Sequence, residues 1–339
     1  MLVVVNYHYV RRTFDSPHPG IFGVTADAFV RQLELLGRAG EFVSLADILR
    51  AVRGEATLPS RSILVTFDDG LREQYEHGWS ALERLHIPGV IFASTRPIDE
   101  AMVCTVHKIH LLRSMVAPDS LWALVRETAA GADMTLPQEL DAKNMGRQYP
   151  FDSPAGAQLK YLLNFALSLS DRERLVDLCF DATFTGEEAA MSRELYLTRD
   201  QIRELAAHGA IGSHGHDHLP LALIGQAAAA ESLRRSAELL REWSGVRPLS
   251  VAYPYGSREA VTHDVARAAE DAGYECGFTV ESAGNDEAHI SGSPLLLARF
   301  DCNYMPSGKL EQWTPEALFA GVPRSTWFSS GDPGRRHCA

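Results

Sequence analysis

Short apolar segments alternate with helical patterns in both halves of the chain, and this alternation constrains the fold more than any other feature. The segments are rich in Val, Ile and Phe, and helical stretches with apolar residues three or four apart lie between them. Strands that alternate with helices pair in parallel, so the pattern predicts an α/β fold. The predicted strands are Leu2–Tyr7, Ser62–Phe67, Gly89–Ser94, Ala210–Ser213, Leu249–Ala252, Cys276–Val280 and Leu295–Arg299.

The middle of the chain breaks this rhythm. From about residue 97 to residue 195 the patterns are mainly helical, with Pro and Gly between them and no convincing strand. Outside this stretch, helices are predicted at Tyr75–Leu85 and Leu221–Trp243, among others. We therefore predict a single catalytic domain over residues 1–328 with a helical insertion at about 97–195. The polar, Gly- and Pro-containing end, residues 329–339, is predicted to be a loose tail.

The composition limits the cellular locations and the classes of partner that are expected for this chain. With a net charge of -12, the chain would repel phosphate backbones, which argues against nucleic acid as the main partner. No segment approaches the roughly 18 to 20 apolar residues that span a bilayer. The apolar run after Met1 lacks a basic flank and a cleavage site, and the five cysteines are scattered and odd in number. These features predict a cytoplasmic protein without a transmembrane segment, and they leave the oligomeric state open.

Two adjacent carboxylates, Asp68 and Asp69, follow the apolar strand at Ser62–Phe67 within the sequence Thr-Phe-Asp-Asp-Gly. Burial and mutual repulsion would raise the pKa of at least one of them unless a cation lies nearby. A metal ion bound to one carboxylate would leave the other available as a base. The structural alternative is a solvated turn in which an Asp caps the next helix.

Three histidines follow another predicted strand, at His214, His216 and His218. Neutral imidazole is the commonest metal ligand, and two His with one carboxylate form a known open zinc set. We favour His214 and His218 as the ligand pair, with His216 directed away as an exposed side chain. A third segment, Tyr253-Pro-Tyr-Gly, also follows a strand and could direct a backbone N–H into the site, although such turns are common structural corners.

In this order, the three segments resemble the motifs of the polysaccharide deacetylase family, also called carbohydrate esterase family four or the nodulation-deacetylase homology domain. TFDDG matches the first motif, His214–His218 the second, and Tyr253–Gly256 a variant of the third. The resemblance covers residues 1–95 and 197–302. It implies a distorted (β/α) barrel and, for the segment between, a helical insertion.

The resemblance also assigns chemical roles to individual residues. Asp69, His214 and His218 would bind one divalent metal ion, most simply Zn²⁺, although iron, cobalt or nickel could occupy the same ligands. Asp68 would be the catalytic base, and the backbone N–H of Tyr255 would help to hold the oxyanion.

Two departures from the family pattern concern the general acid and the residue that holds the base. Arg299 stands where many relatives have a late acidic His, and an Arg cannot usefully donate its proton. Ala252 or Tyr253 replaces the Arg of the third motif. His8, in a Tyr-His pair at the end of the first strand, resembles the acid of the exopolysaccharide-deacetylase branch. The structural alternative for His8 is hydrogen bonding that caps the strand.

Three further residues are candidates for contacts with the substrate. Tyr253 lies in the third motif, and Arg299 could either contact the substrate or orient a carboxylate. His107 and Lys108, at the entry to the insertion, could bind an anionic substrate group or shape the pocket. The alternative for this pair is an ordinary helix start with solvated charges.

The resemblance implies a metal-dependent hydrolase that removes an N-acetyl group from an amino sugar of a glycan or glycan precursor. Capsule, O-antigen or exopolysaccharide biosynthesis would supply such substrates. Two alternatives remain at this point. One is a deformylase or another hydrolase of non-peptide C–N bonds on a sugar. The other is an inactive glycan-binding homologue, which the absent late His suggests.

Overall fold

A parallel sheet forms the centre of the larger of two units in the chain. A computed structural model describes residues 1–15, 17–137, 140, 145 and 154–327, and the predicted tail at 329–339 lies outside them. The strands are β1 (Leu2–Tyr7), β2 (Val10–Arg11), β3 (Val24–Thr25), β4 (Glu41–Phe42), β5 (Ser62–Phe67), β6 (Gly89–Ala93), β7 (Ile211–Ser213), β8 (Ser250–Ala252), β9 (Cys276–Phe278) and β10 (Phe300–Asp301).

Eight of these strands pair in the order β10-β1-β5-β6-β7-β8-β9, with β4 also against β5, and every pair is parallel. β2 and β3 form a separate parallel pair. All six residues of β1 and all six of β5 are buried, which suits apolar strands covered on both faces. The predicted α/β fold with a parallel sheet is confirmed.

The sheet curls until one segment contacts both of its edges. Leu297 forms a bridge to Phe278 of β9, and three residues later Phe300 pairs with Val5 of β1. The buried side chain of Asn285 supports this junction, because its Nδ2 donates to the carbonyl of Ala298 at 3.0 Å and its Oδ1 accepts from the Ala298 N–H at 2.8 Å. The curled sheet is the distorted barrel that the sequence predicts.

Helices and turns connect these strands within the same unit. The α-helices are α1 (Ala26–Ala39), α2 (Leu45–Val52), α3 (Ser80–Leu85) and α4 (Arg96–Glu100). A π-helix, Gln74–Trp79, precedes α3, and 3₁₀ turns occupy Leu221–Leu223, Pro294–Leu296 and Cys302–Tyr304.

Three sequence predictions need correction. The helix predicted at Leu221–Trp243 is a 3₁₀ turn followed by a helix over Gln226–Ser244, because Gly225, with φ +85°, interrupts it. The helix predicted at Tyr75–Leu85 begins as the π-helix. The strand predicted at Leu295–Arg299 is displaced to Phe300–Asp301, since Pro294 starts a 3₁₀ turn.

The second unit comprises Thr13–Phe22 and Ala101–Ser192, and the first comprises Met1–Arg12, Gly23–Glu100 and Arg193–Ala339. Whether the chain acts as one catalytic domain with an insertion at 97–195 stays a prediction. The part of the second unit after Ala101 is mainly helical in its described residues, with α5 (Thr105–Met115), α6 (Pro118–Gly131), α7 (Pro154–Tyr161), a π-helix at Leu162–Ala166, and α8 (Leu169–Thr183).

The remaining helices follow in chain order. They are α9 (Glu188–Leu195), α10 (Arg199–Ala207), α11 (Gln226–Ser244), α12 (His263–Asp271), α13 (Glu287–Gly292) and α14 (Leu318–Gly321). α10 begins with a capping box, with reciprocal bonds between Thr198 and Gln201. Across the described residues, no helix has both the length and the apolar character to cross a membrane.

Candidate active site

The carboxyl ends of neighbouring parallel strands bring the first two motifs together. Asp68 and Asp69 follow β5, and His214 follows β7, which is separated from β5 only by β6. In α/β barrels the residues at these strand ends point into the site. Segments that lie far apart in the sequence therefore meet at one edge of the sheet.

Asp69, His214 and His218 form a buried triad. The Nε2 atom of His218 lies 3.0 Å from Oδ1 of Asp69, and Nε2 of His214 lies 3.4 Å from the same oxygen. One ligand atom from each residue falls within 4.8 Å of the others. The structure thus brings together the three residues that the sequence assigns to a metal.

The ring orientation of His214 suits a metal ligand. Its Nδ1 lies 2.7 Å from the carbonyl oxygen of Ala252, which can only accept, so Nδ1 carries the proton. In the neutral ring the lone pair is then on Nε2, the atom that faces Asp69. A backbone carbonyl that accepts from the other ring nitrogen and fixes the ring in this way is typical of metal-binding histidines.

The two separations between Asp69 and the histidines fit a small divalent ion. Zinc ligands at about 2.0–2.1 Å in tetrahedral geometry are separated from one another by about 3.3 Å. The separations of 3.0 and 3.4 Å from Asp69 Oδ1 match that value. Although burial lowers the pKa of His214, the Asp68 and Asp69 carboxylates outweigh it and raise that pKa, so the site favours positive charge.

Strained backbone accompanies these ligands. Among the described non-glycine residues with positive φ are Asp69 (82°), His218 (55°) and Tyr255 (63°). Positive φ costs free energy for such residues and persists where the surroundings enforce it, often at functional sites. Gly70 shows one such constraint, because a Cβ there would lie 2.8 Å from the Cβ of Ala93.

Asp68 lies beside the triad and is held by Arg299. Two guanidinium nitrogens of Arg299 donate to the two carboxylate oxygens, each at 2.7 Å, and Nδ2 of Asn6 adds a third bond at 3.0 Å. Both partners of this ion pair are buried. The third motif of this chain has no Arg to bond the base, and Arg299 makes that bond instead.

This pairing keeps the base ionised. Burial would raise the pKa of Asp68, but the Arg299 charge, followed by positive charge at His214 and His8, holds that pKa below its usual value. A carboxylate that is ionised at neutral pH can accept a proton. The suggested orienting role of Arg299 agrees with this geometry. Its side chain is fully buried against Asp68, and its contact with the substrate stays a prediction.

His8 lies at the end of β1, next to β5 in the sheet, and its side chain is exposed. Among the described residues its imidazole makes no hydrogen bond, so the strand-capping alternative is not observed. Its positive charge contributes to lowering the pKa of Asp68. The structure therefore leaves His8 accessible and electrostatically coupled to the base, and its role as acid stays a prediction.

The two tyrosines of the third motif lie in different environments. The Tyr255 ring is 39% exposed and lies 5.5 Å from the His218 ring, centroid to centroid. The predicted role of its backbone N–H stays a prediction. Tyr253 is buried in the core, and its hydroxyl donates to the Leu295 carbonyl at 2.9 Å. Tyr255 differs because it lies in the turn after β8 with a positive φ of 63°. The substrate contact of Tyr253 stays a prediction.

The remaining histidines lie outside the triad. His216 is directed away, as predicted, but it is half-buried instead of exposed, with Nδ1 2.9 Å from Oγ1 of Thr95. His107 lies in α5 of the second unit and is buried. The neighbouring Lys108 is also buried, 2.7 Å from Asp177 and 2.8 Å from Glu188. These two carboxylates neutralise the Lys108 charge, and the roles of His107 and Lys108 toward a substrate stay predictions.

Sequence reasoning missed two residues of the site, Asn6 and Gln74. Asn6 is the buried polar residue next to the end of an otherwise apolar β1, a signal that could have found it. Gln74 donates to the carbonyls of both His8 and Asp68. It lies in an unremarkable polar stretch after TFDDG, so the sequence carries no comparable signal.

The profile of a family described as polysaccharide deacetylase matches residues 175–277. This range includes the second and third motifs, whereas TFDDG precedes it. No curated protein sequence matches the chain at a significant level. The motif resemblance to this family is confirmed.

Solved deacetylase structures share the fold at low sequence identity. PplD of Streptococcus pyogenes, a deacetylase in complex with acetate, is 14% identical with a TM-score of 0.55, over 95% of this chain and 96% of that one. IcaB of Ammonifex degensii is 18% identical with a TM-score of 0.52, over 88% and 91%. The BpsB deacetylase domain of Bordetella bronchiseptica is 18% identical with a TM-score of 0.50, over 88% and 94%. The barrel is therefore of the deacetylase type.

Proposed function

We propose that this chain, with its polysaccharide deacetylase fold and its family match over residues 175–277, is a metal-dependent hydrolase that removes the N-acetyl group from an amino sugar of a glycan or glycan precursor. The fold and the family match support a carbohydrate deacetylase. Dependence on a metal, the identity of that metal as zinc, and the acetylated amino sugar are the proposed details.

One observation carries the proposal. The buried Asp69, His214 and His218 converge beside an ionised carboxylate, Asp68, that Arg299 holds in a bidentate pair. A purely structural cluster would not need a second acidic group next to two imidazoles in a buried site. A metal-ligand set beside a positioned base is the arrangement that hydrolysis of an acyl group requires.

Each residue of the site has its own role in the proposed reaction. Zinc held by Asp69, His214 and His218 would polarise the acyl carbonyl and make the attacking water more acidic. Asp68 accepts a proton from that water as its oxygen adds to the carbonyl carbon. The backbone N–H of Tyr255 donates to the developing oxyanion, and His8 gives a proton to the nitrogen as the C–N bond breaks.

We predict that the His214→Ala variant loses the metal, whereas the His216→Ala variant keeps it. The two residues share one turn, but only His214 has a ring nitrogen directed at Asp69. Elemental analysis after incubation with zinc and removal of excess ion should give about one equivalent in the wild type and in His216→Ala. Retention of that equivalent by His214→Ala, or an empty wild type, would contradict the proposed site.

The cytoplasmic location and the biosynthetic pathway are part of the same proposal. Cell fractionation of the native protein checks the location, and recovery from a secreted fraction would contradict it. Release of formate instead of acetate would favour the deformylase alternative. Full metal loading without turnover of any acylated sugar would favour the glycan-binding alternative.

A further inference from the structure

Gln74 is a buried amide between the segments that carry His8 and Asp68. It is the first residue of the π-helix Gln74–Trp79, and its exposed fraction is zero. Its Nε2 donates to the carbonyl oxygen of His8 at 2.7 Å and also to the carbonyl oxygen of Asp68. A single amide group thus joins the backbones of the candidate acid and the candidate base.

The orientation of this amide is fixed by a third bond. Its Oε1 accepts the backbone N–H of Leu71 at 3.0 Å. Since a backbone N–H can only donate, the oxygen must face Leu71, and the NH₂ group must face the two carbonyls. The hydrogen bonds to His8 and Asp68 can therefore be made only with the Gln74 amide in this orientation.

These bonds extend the link between β1 and β5 past the ends of the strands. The register pairs Tyr7 with Phe67, and the Asp68 N–H donates to the Tyr7 carbonyl at 3.0 Å. The next carbonyls, those of His8 and Asp68, are taken up by Gln74 instead of by a neighbouring strand. π-helical turns often accompany functional sites, and here the turn places a side chain between two strand ends.

We propose that Gln74 is a positioning residue that sets the location of the general acid His8 relative to the base Asp68. The Asp68 carboxylate is also held by Arg299 and Asn6, whereas the His8 imidazole is exposed and makes no hydrogen bond among the described residues. Loss of Gln74 therefore affects mainly His8. This inference rests on the proposed function.

The consequence depends on the leaving group. When an amide is cleaved, water adds to the carbonyl carbon and gives a proton to Asp68. The C–N bond then breaks as the tetrahedral oxyanion collapses, and the departing nitrogen takes a proton from His8. The phenolate of 4-nitrophenyl acetate leaves with the bonding electron pair and needs no proton. A misplaced acid therefore slows hydrolysis of the amide and spares hydrolysis of the ester.

The test compares Gln74→Met with the wild type on N-acetylglucosamine oligosaccharides and on 4-nitrophenyl acetate. Methionine has a similar length but lacks the amide donors. We expect kcat for the amide to fall on the order of 10-fold or more, while KM and the ester rate stay within about twofold. In a His8→Ala background the same substitution should cause no further loss, because its effect is transmitted through His8.

Two results would overturn the inference. One is an equal loss on ester and amide, which would show that Gln74 acts through Asp68 or the fold as a whole. The other is a multiplicative loss when His8→Ala and Gln74→Met are combined. Failure of the proposed function looks different, because the wild type would then cleave the ester but release no acetate from the oligosaccharides.

If Gln74→Met does not fold, the Gln74→Glu variant provides a second test of the inference. The carboxyl oxygen still accepts from Leu71, but the group can donate to a carbonyl only when it is protonated. The amide rate of this variant relative to the wild type should therefore rise as the pH is lowered from about 8 to about 6, since burial favours the neutral acid. A ratio that does not change with pH would contradict the inference.

Discussion

Replacing Asp68 with asparagine is expected to lower kcat by about 10³-fold while the protein keeps its metal. The asparagine has the same shape, but its amide cannot accept a proton from water as a carboxylate does. Arg299 would then face one oxygen and one NH₂ group instead of two oxygens. Rates of acetate release and the metal content of the same preparation measure the two effects separately.

Asp264→Asn is the matched control for this substitution. Asp264 forms an exposed ion pair with Arg267 on α12 and takes no part in the site. Its variant should keep the wild-type rate within about twofold, as surface substitutions usually do. A metal-loaded Asp68→Asn variant with a similarly small change would show that Asp68 is not the base.

Replacing Arg299 with methionine is expected to lower the free energy of unfolding by about 3–5 kcal/mol at neutral pH. The substitution leaves the Asp68 carboxylate buried without its partner, which costs far more than the loss of an exposed ion pair. Urea unfolding of the metal-free protein measures this change without a contribution from bound ion.

The loss in free energy of unfolding caused by Arg299→Met should decrease as the pH falls. In the wild type the pKa of Asp68 is lowered, so its contribution to stability is present above the pKa of the unfolded chain and is lost as the pH falls through the folded-state pKa. The difference between wild type and Arg299→Met should therefore be largest near neutral pH and shrink toward acid. A difference that grows toward acid would contradict the account.

The double variant Asp68→Asn/Arg299→Met separates the charge from the packing. Removing the buried carboxylate together with its partner should restore part of the lost stability. Arg299 also donates to the Thr279 carbonyl at 2.9 Å, so the recovery will be incomplete. If the double variant is no more stable than Arg299→Met, the uncompensated charge is not the cause of the loss.

The parts of the fold that could be predicted are those that depend on local sequence. β1 and β5 have the bounds expected from their apolar, β-branched runs, because strands covered on both faces need such residues throughout. The two histidine ligands could also be predicted from the sequence, because His214 and His218 lie in one turn. The strand near Leu295 was misplaced because Pro294 breaks the pattern at the very start of that segment.

The parts of the site that escaped prediction depend on contacts across long sequence separations. The sequence suggests that Arg299 could orient a carboxylate, but Arg299 and Asp68 are 231 residues apart, and nothing near either residue identifies Asp68 as that carboxylate. Tyr253 is buried whereas Tyr255 is 39% exposed, because the chain turns after β8 with a positive φ at Tyr255 that its sequence does not reveal. Gln74 acquires its role only because the π-helix places it between two strand ends.

The central claim is tested most directly by adding zinc to metal-free protein while acetate release from N-acetylglucosamine oligosaccharides is measured. We expect the rate to rise with added zinc and to level off at about one equivalent per chain, the number that the Asp69, His214 and His218 set can hold. Acetate release that is already maximal in the metal-free protein, or that never appears at full zinc loading, would contradict it.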